Sequence, residues 1–167
     1  MHFDSFLSDI LSNIIGGVIL TFLFFLIREK CFKTIRLDGS WTYIQTTIIS
    51  EYNPYKKMEL TYLALVSLSN NELSGTAEKT HEKSIINPNK EYTGKHRIRV
   101  DMNGHLEKRY FSKDKISIQI IEHGSVRESS TIHTLTVLDE NTLIGTFHST
   151  IANQTGSVKW QRRSSQS

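Results

Sequence analysis

Three tyrosines, a histidine and a lysine fall at positions that an alternating strand pattern turns toward one interior: Tyr43, Tyr62, Tyr110, His96 and Lys108. Aromatic rings offer flat stacking surfaces, and an ammonium or imidazole offers charge and hydrogen-bond donors, so these types together suit non-covalent recognition of a phosphate-bearing ligand. An unpaired ammonium in such an interior is costly and needs an anion or a place at the rim. A bound phosphate would be that anion. The same residues also read as plain core, with the tyrosine hydroxyls satisfied at the rim and His96 a buried neutral imidazole. On the opposite face Lys95, Arg97, Arg99 and Arg109 form a basic patch, with Arg97 facing Arg109 across a predicted hairpin. Like charges directly opposite are unfavourable unless an anion lies between them. The patch is therefore a second candidate site for phosphate, a lipid headgroup or a neighbouring subunit, beside the simpler reading of a solvated face.

Covalent chemistry finds no comparable support. The seven histidines do not fall into a His-Glu-x-x-His spacing, and no glycine-rich phosphate loop is present. Ser149 and His148 are strand neighbours that point to opposite faces, so adjacency does not make them a nucleophile and its base. Cys31 is the single cysteine, which leaves no intrachain disulfide and no cysteine cluster for zinc. The expectation is a protein that is not an enzyme, with no metal and no cofactor.

The elements that position these residues are strands. After Arg36, segments rich in Ile, Val, Thr and Tyr alternate apolar and polar residues between short turn signals. The predicted strands are Gly39 to Ile49, Met58 to Ser69, Glu72 to Thr80, Tyr92 to Asp101, His105 to Phe111, Lys115 to Glu122, Thr131 to Leu138, Thr142 to Ile151 and Ser157 to Arg162. The fold class is all-β with one N-terminal transmembrane helix, the domain being a small antiparallel up-and-down barrel of about eight strands. A two-layer sandwich is the alternative. Turn lengths set the register. Asn70-Asn71 as a type I′ turn pairs Leu68 with Leu73, Val66 with Gly75 and Ala64 with Ala77. A three-residue loop, Met102 to Gly104, pairs Val100 with Leu106, Ile98 with Lys108 and His96 with Tyr110. A four-residue loop over Asp139 to Thr142 pairs Leu138 with Leu143 and turns Thr134 inward.

Residues 6–27, FLSDILSNIIGGVILTFLFFLI, read as a membrane span, since about 22 helical residues reach roughly 30 Å. A cleaved signal peptide would start basic and end in small residues; this stretch starts with Asp4 and Asp9 and ends in Phe-Phe-Leu-Ile-Arg-Glu-Lys. Arg28, Lys30, Lys33 and Arg36 crowd its C-terminal side, which predicts a single-pass topology with the N-terminus out and the barrel cytoplasmic. The expected layout is a tail at 1–5, the span at 6–27, a basic linker at 28–36, the barrel at 37–162 and a frayed end at 163–167. Ser8, Ser12 and Gly16 recur every fourth residue, with Asn13 beside them, and line one face on which a second helix can approach closely; they are equally ordinary residues for a membrane helix. The net charge of +3, from 20 basic and 17 acidic residues, suits a lipid surface or a phosphate-bearing ligand and is too balanced to argue for duplex nucleic acid, which is not expected as a partner.

Leu37-Asp-Gly-Ser-Trp41 resembles the Gly-x-Trp entry of lipocalin-like barrels, where the glycine frees the backbone and the tryptophan plugs the base; Trp160 on the last strand is placed to pack beside Trp41. An N-terminal membrane region, a few basic residues, Asp38-Gly-Ser-Trp41 and a barrel ending just after Gly156-Ser-Val-Lys-Trp160 together resemble the CD-NTase-associated transmembrane β-barrel effectors of bacterial CBASS anti-phage systems. That resemblance implies a bacterial inner-membrane protein activated by a cyclic dinucleotide made by a partner nucleotidyltransferase. It also implies oligomerisation on activation and disruption of the lipid bilayer. The family commonly carries two spans, and this chain shows one. Two rival expectations stand beside it: a tethered carrier of a lipid or other apolar ligand, and a partner-docking module with a filled core.

Overall fold

The computed structural model describes residues 3–31, 36–109, 112–124 and 127–163. The chain divides between Ile35 and Arg36 into two units. The first holds helix α1, Phe3–Cys31. Within it Ser8–Arg28, 21 residues, is long and apolar enough to cross a membrane, and none of that stretch is buried. The large side chains from Ile10 to Ile27 are exposed on all sides. Thr21 resolves its own polarity by donating its hydroxyl to the Gly17 carbonyl at 2.8 Å.

The second unit is a closed antiparallel barrel. Its strands are β1 (Gly39–Ile49), β2 (Glu59–Ser69), β3 (Glu72–Lys83), β4 (Lys90–Glu91), β5 (Arg99–Glu107), β6 (Lys115–His123), β7 (Glu128–Asp139), β8 (Thr142–Ser149) and β9 (Gln154–Arg162). Each long strand pairs with its neighbour in the chain, β1 pairs with β9, and β4 is a two-residue addition to the edge of β3. First and last strands therefore close the sheet and remove its edges.

The predicted alternation holds along most of the wall. Trp41, Tyr43, Tyr62, Ala64, Val66, Ala77, Ile116, Ile118, Val158 and Trp160 are all buried. The Asn70-Asn71 hairpin has both residues at positive φ, 50° and 69°, and the three expected pairs across it are present. The chain enters at a plugged base. There Trp41 and Trp160 meet edge to face at 6.4 Å, Trp41 Nε1 donates to the Leu37 carbonyl at 2.8 Å, and the Arg162 guanidinium covers the Trp41 ring at 4.5 Å.

Two register expectations fail. Asp101-Met-Asn-Gly-His105 is not a turn: β5 runs straight through it, with Met102 buried and Gly104 opposite Ile118. A Cβ at Gly104 would lie 2.3 Å from the Ser117 carbonyl oxygen, so the glycine lets β6 approach closely rather than supplying a left-handed corner. The two short strands predicted around that turn are one. His96, Lys108 and Arg109 lie outside it, and the pairings of Ile98 with Lys108 and Arg97 with Arg109 do not form; the expected pairing of His96 with Tyr110 falls on a residue outside the described ones. At the β7–β8 turn Val137, not Leu138, opposes Leu143, and the register shifts between Val137 and Asp139. That single extra residue is a bulge, and it reverses the inward set of β7. Thr131, His133, Leu135 and Val137 point in, while Thr134 is exposed.

Candidate functional site

Opposite the plugged base the barrel opens. Its mouth holds a cavity of about 400 Å³ lined by residues of β1, β2, β3, β6 and β7 and by the long β3–β5 connection, among them Gln45, Tyr62, Lys79, Glu82, Glu122 and Ser129. That volume falls in the range of small-molecule sites.

Beneath the cavity the interior is closed by rings. Tyr43 stacks between Tyr62 at 4.6 Å and Trp160 at 4.5 Å. His133 stands edge-on to Tyr43 at 5.4 Å and is fully buried. Trp160 can only donate, so its Nε1–H, 3.3 Å from His133 Nδ1, places the imidazole proton on Nε2, which donates to Gln45 Oε1 at 3.2 Å. Burial carries the His133 pKa down to about 3, so the ring is neutral and Gln45 is held by it. Burial, and then the nearby Glu122 charge, push the Tyr43 and Tyr62 hydroxyls up, so both stay protonated. The Tyr43 hydroxyl is buried and has no hydrogen-bond partner among the described residues.

The cavity wall carries one ion pair and one carboxylate staple. Lys79 Nζ donates to Glu122 Oε1 at 2.5 Å, and the Tyr62 hydroxyl donates to Glu122 Oε2 at 2.8 Å. Glu82 fastens the β3–β5 connection by accepting from Tyr92 at 2.6 Å, Asn87 at 3.0 Å and Ser84 at 3.3 Å. Burial works to raise the Glu82 carboxyl, but these bonds and the Lys79 charge carry it below the ordinary value. Both carboxylates are thus occupied by donors of their own chain. The donors are not all used. Lys79 gives one N–H to Glu122 and lies near the Tyr62 and Tyr92 rings, at 5.7 and 5.8 Å. The Gln45 amide N–H groups, the Ser129 hydroxyl and the Arg127 guanidinium line the same cavity without a partner among the described residues. An opening whose carboxylates are engaged by their own chain and whose ammonium, guanidinium and amide donors are open suits a ligand rich in acceptors, such as a phosphoester.

Of the residues expected from sequence, Tyr43 and Tyr62 come together as predicted, though as a floor rather than an open stacking platform. His96 is exposed in a short turn, Gly94–His96, ahead of β5. Lys108 is exposed beyond the far end of the same strand. Tyr110 lies outside the described residues. Arg97 pairs with Glu78 at 2.7 Å, Arg99 with Asp101 at 3.4 Å and Arg109 with Glu107 at 3.0 Å. Nine residues of β5 separate Arg97 from Arg109, roughly 30 Å of strand. Each arginine has its own carboxylate, and the two do not face each other across a shared anion. In the helix Ser8, Ser12, Asn13 and Gly16 are exposed, and a Cβ at Gly16 would meet nothing within 4 Å.

Lys79, Glu122, Gln45 and His133 were not expected at the site. Three were within reach of the alternation. Lys79 is two residues past the inward Ala77, Gln45 two past Tyr43 and Glu122 two past Ile120, but a charged or amide side chain in a strand reads as one that faces solvent. His133 was hidden by the β7 bulge.

No family model and no curated protein matches this sequence. Among solved structures the chain is similar to a redesigned β-barrel, with a TM-score of 0.48 and 12% identity over 77% of this chain and 92% of that one. The closed all-β barrel stands on the strand pairing above.

Proposed function

We propose that this chain is a membrane-anchored sensor and effector whose barrel mouth binds a phosphate-bearing small molecule. Among such molecules, a cyclic dinucleotide is the one implied by the resemblance to CBASS transmembrane β-barrel effectors. The observation that carries the reading is the set of open donors at the mouth: Glu82 and Glu122 are already engaged by donors of their own chain, while Lys79, Gln45, Ser129 and Arg127 keep donors for an incoming acceptor. The tyrosine and tryptophan stack argues against a deep apolar pocket, because it fills the space a lipid tail would need. In this reading ligand binding favours association of barrels, their helices cluster through the face of Ser8, Ser12, Asn13 and Gly16, and the clustered spans breach the bilayer in a bacterial inner membrane. The ligand must then bind the associated state more tightly than the monomer.

The test is thermal unfolding of the full chain in detergent against a panel of cyclic mono-, di- and trinucleotides. A ligand present at about 100 times its dissociation constant stabilises by roughly 2.7 kcal/mol. A selective upward shift with one cyclic nucleotide is the expected result. A folded chain that shifts with none of them, and instead yields an apolar molecule on organic extraction, overturns the reading in favour of a tethered lipid carrier.

A further inference from the structure

We infer that Glu122 occupies, in the empty barrel, the place of the ligand's phosphate, so that ligand binding is a competition with Glu122 for Lys79. The inference rests on reading the mouth as an anion site and adds which anion must leave. Lys79 is the more deeply buried partner, its side chain 9% exposed against 18% for Glu122. A buried ammonium needs a counterion at all times. Without ligand, Glu122 is the carboxylate that supplies it, at 2.5 Å.

A buried ion pair is poor evidence of a stabilising device, since apolar side chains of similar volume do as well. This one is also mounted for exchange. Glu122 ends the inward run of β6 and stands opposite Ser129 on β7, whose hydroxyl lines the cavity without a partner among the described residues. Lys79 stands opposite Tyr62 on β2 and is walled by the Tyr62 and Tyr92 rings. A phosphate that takes Lys79 therefore meets the Ser129 hydroxyl and the Gln45 amide as further donors, while the more exposed Glu122 swings toward solvent. A second anion cannot share the site with the carboxylate, because like charges at that separation repel strongly in a partly desolvated mouth. Glu122 then sets the threshold. It lowers the apparent affinity by the fraction of molecules in which it holds Lys79, and it rejects acceptors too weakly charged to displace it.

The experiment is titration calorimetry of the full chain in detergent, with pyrophosphate as the probe. Glu122→Gln keeps the shape and can still accept from Lys79, but it removes the competing charge. Its affinity for pyrophosphate is expected to rise about tenfold or more over the natural chain. Lys79→Met combined with Glu122→Met removes the pair as a unit and is expected to fold, because neither charge is left alone. It should lose the binding. A folded Glu122→Gln chain that binds pyrophosphate no more tightly than the natural chain overturns the inference. If that variant does not fold, the double variant decides: pyrophosphate affinity equal to that of the natural chain would show that Lys79 is not the anion-holding group. A natural chain that ignores every cyclic nucleotide, while Glu122→Gln gains pyrophosphate affinity, sinks the signalling function and leaves this inference standing.

Discussion

The two ends of the barrel follow one alternation but different rules. At the base the interior ends in Trp41 and Trp160, and the polar atoms that come with them are paired inside the chain. The Trp41 indole reaches the Leu37 carbonyl, and Arg162 gives its donors to the carbonyls of Arg36, Asp38 and Glu140. At the mouth the inward positions pass from tyrosine to Gln45, Lys79, Glu122 and Ser129, and donors are left over. One end is finished as a core and the other as a surface that faces inward. The contrast shows where stability and binding can be changed separately.

The largest effect is expected at the base. Trp41→Ala removes the plug, the ring under the Arg162 guanidinium and the indole bond to Leu37, and should cost about 3–5 kcal/mol. Denaturant unfolding of the full chain in detergent measures it; a loss below about 1 kcal/mol would mean that the base is not the better-packed end.

Between base and mouth lies His133, whose ordinary pKa of 6.5 is carried down to about 3 by burial. Because the folded value is the lower one, the unfolded chain binds more protons in the interval between the two. Stability is therefore undiminished above about pH 6.5 and falls as the pH drops toward 3, by at most about 1.4 kcal/mol per pH unit. His133→Gln can keep both bonds, accepting from Trp160 and donating to Gln45, and should flatten that acid slope. Equal slopes in melting temperature between pH 7 and about 4.5 for the two chains would show that another group governs acid unfolding.

The base was legible in the sequence because Gly39, Trp41 and Trp160 sit at strand ends where parity cannot be misread. The Asn70-Asn71 turn was legible because two asparagines at positive φ have few other uses. The failures have physical causes of one kind. Gly104 serves either as a left-handed corner or as a point of close strand approach, and local sequence does not separate the two. The bulge at Leu138 adds a residue with no composition mark, yet it moves His133 from the outside to the centre. The mouth was less legible for a related reason: Lys79 and Glu122 continue the inward sets of Ala77 and Ile120, and a charge near the end of a strand does not by itself mark an inward position. The candidate site was therefore half visible, its aromatic floor in Tyr43 and Tyr62 but not its charged wall.

The smallest expected effect is the sharpest test of the contrast. Tyr43 is held at both faces by rings and is 1% exposed, yet its hydroxyl has no partner among the described residues. A buried hydroxyl without a partner costs on the order of 1 kcal/mol or more, and nothing in the packing of the stack requires it. Tyr43→Phe keeps the rings in place and should stabilise the ligand-free chain by about 1 kcal/mol. Thermal unfolding of the full chain in detergent reads this directly. A gain of that size means that the mouth keeps a polar group at the expense of stability, as a floor does when something is to rest on it. A loss instead means that the hydroxyl is satisfied by a trapped water, which would make the floor of the mouth as finished as the base.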